Sequence, residues 1–161
     1  MSDSFSPTRQ FLRHTLATVA YRGCKTLRDV PASFAEFKSV DSSRTPVQIV
    51  AHMGDLYDWS LSIARGEEKW HNARPLEWNM EVERFFASLK RFDDYLASQE
   101  PLRSPLERLF QGPIADSLTH IGQLAMLRRL AGFPIKGENY MLAEITTGRL
   151  GSDQAEPRQE F

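Results

Sequence analysis

Three residues of this chain have the types and spacing that can hold a metal ion: His52, Asp116 and His120. Asp116 and His120 are four apart, so on a helix both side chains project from one face, one turn apart. The same face continues through Gln123, Leu127 and Leu130. His52 belongs to the run Ile49, His52, Leu56, Trp59 and Ile63, which steps by 3-4-3-4 and shares one helix face. It is the only ionisable member of that apolar stripe. An inward-pointing imidazole must find a partner, because an unpaired buried polar group is costly. A carboxylate and an imidazole at i, i+4, joined by a second imidazole from a facing helix, form a facial ligand set. Such a set leaves positions open to water or substrate, the layout of a catalytic rather than a structural site. The pattern Asp-x-x-x-His also arises by chance. The same residues admit a plainer arrangement, with Asp116 and His120 bonded along one helix and His52 satisfied in the core.

The remaining candidates are weaker. Gln123, near one turn beyond His120, can hydrogen-bond a ligand or orient a neighbour, or simply pack on a helix. Asp55 and Tyr57 flank His52; Tyr57 can line a pocket, with core packing the plainer role. Arg128 and Arg129 can hold an anion, though such a pair more often lies on a solvated face or an interface. Tyr140, in the string Gly137-Glu138-Asn139-Tyr140, is a candidate to cover the site mouth. His14 reads as a surface residue. His71, in a loop beside Trp70, reads as an exposed histidine or a fourth ligand. Cys24 has no base near it in sequence, but a partner need not be near in sequence. The chain shows no Gly-rich phosphate loop, no Gly-x-Ser-x-Gly elbow and no His-Glu-x-x-His motif.

Helices must position these residues. The first is expected from about Thr8 to Leu27, with Phe11, Leu12, Thr15, Leu16, Val19 and Ala20 forming its apolar spacing. The second carries a clear start signal. Thr45 is an N-cap, Pro46 the first helical residue and Gln48 the capping-box partner, and Gly66 stops the helix after Arg65. Glu67 to Leu76 reads as a loop. A third helix is expected over Glu77 to Ser98, with Val82, Phe85, Leu89, Phe92 and Leu96 as a buried stripe. A short helical turn at Pro105 to Phe110 precedes a fourth helix from about Gly112-Pro113 to Leu130. Glu138 to Gly148 is read as a short helix or an ordered extended segment. No βαβ alternation and no repeat is present, so the expected fold is all-α, one bundle domain over 1–150 with a frayed polar tail over 151–161.

Composition fits an ordinary globular domain. Of 161 residues, 41% are hydrophobic and 25% charged, enough to build one core. The net charge is -1 and basic residues are interleaved with acids, which argues against nucleic acid as a partner. One cysteine excludes an intrachain disulfide and a cysteine-based zinc knuckle, so any metal must be held by histidines and carboxylates. The opening MSDSFSPTRQ lacks a basic then apolar signal pattern, and no stretch approaches the roughly 20 apolar residues of a membrane span. The expected location is the cytoplasm, with no membrane partner.

The segments TPVQIVAHMGDLYDWSLSIARGE and GPIADSLTHIGQLAMLRRLAGFP, followed by GENYMLAEI, resemble the DinB-like, YfiT-like superfamily of damage-inducible-type proteins. The markers are the Ala-His of the second helix, the string from His120 to Arg129 and the closing Leu-Ala-Gly. The resemblance runs from the first helix to about Gly148. It implies an up-down-down-up four-helix bundle, often dimeric, with a divalent metal bound by a histidine triad. His52 matches the first ligand and His120 the last, while the middle position is Asp116 in place of histidine. Two histidines and one carboxylate suit Zn, Ni, Fe or Mn. The resemblance further implies a metal-dependent enzyme, a thiol S-transferase or a hydrolase, acting on a small substrate such as a thiol. The alternative is a non-catalytic metal- or ligand-binding bundle with a stress-related or regulatory role. A homodimer is expected from the resemblance, and the many aromatics of the third helix (Phe85, Phe86, Phe92, Tyr95) exceed what one core stripe needs.

Overall fold

The computed structural model describes residues 6–161, and among them every regular element is helical. Helix α1 is Pro7–Leu27, α2 Pro46–Ala64 and α3 Trp78–Ala97. A single turn, α4, at Leu106–Leu109 leads through a wide π turn at Phe110–Ile114 into α5, Ala115–Leu130. Among the described residues no helix is long and apolar enough to cross a membrane.

Local chemistry explains these bounds. Thr45 and Gln48 close the expected capping box: the Gln48 amide donates to Thr45 Oγ1, and the Thr45 amide donates to Gln48 Oε1 at 2.9 Å. Pro46 starts α2 where its missing N–H costs nothing. Gly66 ends the segment at φ 83, a conformation that only glycine adopts cheaply. Pro113 cannot donate into the turn before it, and the chain widens there instead of running as a regular α-helix. Helix α5 therefore begins at Ala115, slightly later than the sequence suggests.

The helices close a ring around one core. α1 packs on α3 and α5, and α2 packs on the same two. Leu16, Val50, Met53, Phe85, Leu89, Phe92 and Leu124 are fully buried between them. The α3 stripe behaves as its spacing requires. Phe86 joins Phe85 and Phe92 in the core and Tyr95 packs against it, so the aromatics of α3 leave no spare apolar face. Phe11 departs from expectation: it is 70% exposed, and Leu12 and Leu16 carry the buried face of α1.

The C-terminal tail also departs from expectation. Residues 138–148 take the non-helical of the two expected forms, and 151–161, expected to fray, run back to meet them. Glu138 and Glu160 form an isolated antiparallel bridge, and the Phe161 amide donates to the Gly137 carbonyl. The anchor is charge. Glu138 is buried and accepts from Tyr21 Oη at 2.6 Å and Lys25 Nζ at 2.7 Å, while Lys25 also reaches Glu160 at 3.0 Å. A buried lysine needs such partners, and they hold the end of the chain on α1.

A second charged cluster fixes α2 against α3. Arg84 lies across α2, donating to the Ala51 carbonyl at 2.6 Å, to Asp55 at 3.0 Å and to Glu81 at 2.5 Å. Gly54 makes room: a Cβ there would sit 2.9 Å from the Arg84 guanidinium carbon. The other carboxylate oxygens of Asp55 and Glu81 accept from the amides of Ala73 and Leu76. The loop after α2 is thereby tied to both helices. Asp55 and Glu81 are 2% and 0% exposed, so removing the guanidinium strands two buried carboxylates. Arg84→Ala is expected to cost about 3–5 kcal/mol, read as a lower urea midpoint at unchanged slope; a loss below about 1 kcal/mol would contradict this role.

Candidate metal centre

α2 presents His52 one turn after the capping box, and α5 presents Asp116 and His120 one turn apart. The packing of α2 on α5 brings them together. His52 Nε2 is 3.3 Å from Asp116 Oδ2, and His120 Nε2 is 3.5 Å from Asp116 Oδ1. One donor atom from each residue lies within 4.8 Å of the others. The two imidazole rings stand edge to face at 4.9 Å between centroids.

The donor set fits a divalent ion on its own terms. Asp116 Oδ2 shares a long hydrogen bond with His52 Nε2, and its other oxygen faces His120 Nε2 with no hydrogen bond between them. One donor atom from each of the three residues lies within 4.8 Å of the others, close enough for one ion to be shared among them. The Nδ1 of His120 lies 2.8 Å from Gln123 Oε1. With the ring donating there, its Nε2 carries the lone pair, turned towards Asp116. An outer hydrogen bond of this kind leaves Nε2 free to ligate. Burial pushes the His52 imidazole below its ordinary value of 6.5; the Asp116 contact opposes the shift, and the charges of His120 and Arg44 add to it. The neutral, ligating form of His52 is therefore favoured at neutral pH.

Two cavities flank the set. One, of about 480 Å³, is lined by His120 and Gln123 together with Arg44, Ile49, Met126 and Leu130. The other, of about 270 Å³, is lined by His52 with Arg44, Gln48, Asp55 and Asn72. His120 is nearly buried, whereas the Asp116 side chain is 46% exposed, so the set opens to solvent on the carboxylate side.

The other sequence candidates fall elsewhere. Gln123 belongs to the site through His120. Tyr57 does not: it is fully buried against Phe85 and Phe92, its Oη has no hydrogen-bond partner, and it lines neither cavity. Its place in α2, five residues after His52, turns it into the core. Tyr140 does not cover the site either. It stacks on the Arg22 guanidinium at 3.9 Å and packs against Tyr21, on α1. Arg128 is buried and donates to the carbonyls of Thr26, Arg28 and Phe133, joining α5 to the end of α1 rather than binding an anion. Asp55 serves Arg84. Cys24 is buried, contacts the Ser152 carbonyl, and burial pushes its thiol up, away from nucleophile chemistry. His14 and His71 are exposed and outside the donor set.

Two residues at the site carried no usable sequence signal. Trp70, in the loop tied down by Arg84, packs against His52 at 5.6 Å and against Trp59 at 5.6 Å. Arg44 lines both cavities from the residue just before the α2 cap. Neither lies on a periodic face, and only the path of the loops brings them here.

Comparison with known proteins finds no matching family model, no matching curated protein and no matching solved structure.

The electrostatics give a direct test. In metal-free protein His52 is expected to titrate below 6.5 by NMR, and Asp116→Asn to lower it further, because the carboxylate is the group that favours the charged ring. The unfolded chain then binds this proton more tightly than the folded one. The contribution to stability is present above about pH 6.5 and is lost as pH falls through the folded value. A His52 that titrates above 6.5 in the wild type would contradict the burial argument.

Proposed function

We propose that this protein binds a divalent metal ion through His52, Asp116 and His120 and acts as a metal-dependent enzyme of the DinB-like, YfiT-like class. The convergence of two imidazoles and one carboxylate from α2 and α5, at a separation suited to one ion, carries this reading. The chain supplies only three donors among the described residues, and two cavities adjoin them. A small substrate therefore has a way in, which favours transfer or hydrolysis over a closed structural site. The up-down-down-up topology, the homodimer and the thiol S-transferase or hydrolase chemistry belong to the same proposal. They rest on the resemblance of the second- and last-helix segments.

Each residue has a separate task. His52 and His120 are neutral donors. Asp116 brings the one negative charge and stays open enough to shift with substrate. Gln123 holds the His120 ring in its ligating tautomer. Trp70 covers one side of His52 and lowers its access to water. Bound here, a divalent ion supplies Lewis acidity and favours the deprotonated form of a water or thiol that it contacts. Zn, Ni, Fe and Mn all suit two nitrogens and one oxygen.

The first measurement is metal content by plasma mass spectrometry on untagged protein, for wild type and His120→Ala together. Near-stoichiometric metal that disappears in the variant is expected. Wild type that takes up none of the four ions after incubation would overturn the proposal. Gln123→Ala is expected to retain the site with affinity about 10–100-fold weaker, read by competition with a chelator; unchanged affinity would remove Gln123 from the centre. Light scattering on the eluting protein reads the dimer, and a monomer mass would contradict it.

A further inference from the structure

Arg44 stands out at the site because nothing neutralises it. Among the described residues it makes no ion pair and no side-chain hydrogen bond, and Asp55, which lines the smaller cavity with it, is held by Arg84. Other exposed arginines, such as Arg74 and Arg108, also lack ion pairs. Arg44 differs in lining both cavities that border the histidines. The larger cavity has a divided wall. Arg44, Ser39, Ser43 and Gln123 are polar, and Ile49, Met126, Leu127 and Leu130 are apolar. Met126 and Leu130, 56% and 58% exposed, give the cavity an accessible apolar side. At about 480 Å³ the space suits a small organic molecule.

We infer that this cavity binds a small organic anion with an apolar body, its carboxylate or phosphate at Arg44 and its apolar part along Met126 and Leu130. A guanidinium presents paired donors to either anion. The apolar wall supplies affinity without direction, and His120 at the inner end places such a ligand beside the donor set. The binding claim stands on Arg44 and the cavity; that the bound anion is the substrate rests on the metal reading above.

Calorimetry on chelator-treated, metal-free protein separates the two. The probes are octanoate and octyl phosphate, with octan-1-ol as the neutral counterpart. At least one anion is expected to bind at least about tenfold more tightly than the alcohol, and Arg44→Gln to abolish that preference. Met126→Glu, at an exposed position that leaves the core intact, is expected to weaken both anion and alcohol. Arg44→Gln should still take up metal as wild type does. Anions and alcohol binding equally, no binding of either anion at millimolar concentration, or an Arg44→Gln variant that keeps the preference would overturn the inference. Metal uptake without anion binding would leave the metal proposal standing and sink this one. Anion binding without metal uptake would do the reverse and make the cavity a plain ligand site.

Discussion

The site depends on where one guanidinium lies. Arg84 takes the carbonyl of Ala51 and the carboxylate of Asp55 from α2, and the carboxylate of Glu81 from its own helix. His52 sits between Ala51 and Asp55 in sequence, so the backbone that carries it is clamped on one side. A buried ion cluster is a poor source of net stability, because desolvation offsets most of the attraction. Its value here is positional. The two carboxylates also accept amides of the 65–77 loop, which brings Trp70 over His52. Gly54 is the condition for all of this, since any side chain there would push the guanidinium away.

The opposite wall is fixed by different means. α5 opens out of a wide turn around Pro113, and its first turn delivers Asp116. One turn on, His120 is oriented by Gln123, and two turns beyond that Arg128 ties the helix to the carbonyls ending α1. Asp116 is the most exposed member of the set and is held by its hydrogen bond to His52.

Much of this frame is legible in the sequence. The capping box of Thr45 and Gln48, the stop at Gly66 and the α3 stripe each depend on local chemistry, and each is found where that chemistry puts it. The convergence of His52 with Asp116 and His120 is legible for the same reason: all three lie on periodic faces, and faces of packed helices meet. What local pattern does not carry is anything placed by a loop or by a long-range ion pair. Trp70 and Arg44 reach the site through irregular backbone. Asp55 looks like a companion of His52 but belongs to Arg84, 29 residues away. Tyr57 and Tyr140 are misplaced by proximity in sequence: five residues after His52 is the core side of α2, and Tyr140 follows the chain back to α1. The C-terminal segment reads as a frayed tail because its composition is polar. Its anchor, Glu138 and Glu160 on Lys25, spans more than a hundred residues.

The carboxylate at 116 gives the site its particular electrostatics. In the proposed centre two neutral imidazoles and one carboxylate would leave a divalent ion with a net charge of +1, where three histidines would leave it +2. The lower charge weakens the pull on any anionic ligand and softens the Lewis acidity available to it. Arg44 offsets the first effect without the second: it restores a positive charge at the cavity wall, on a side chain that does not coordinate. Attraction of the proposed ligand and activation at the proposed centre would then be carried by separate residues. A single histidine at 116 would couple them, raising both together. Separating them would let a cavity with an apolar wall favour anions while a bound ion stayed only moderately acidic, a role that would suit an unpaired arginine beside a site that already holds a carboxylate.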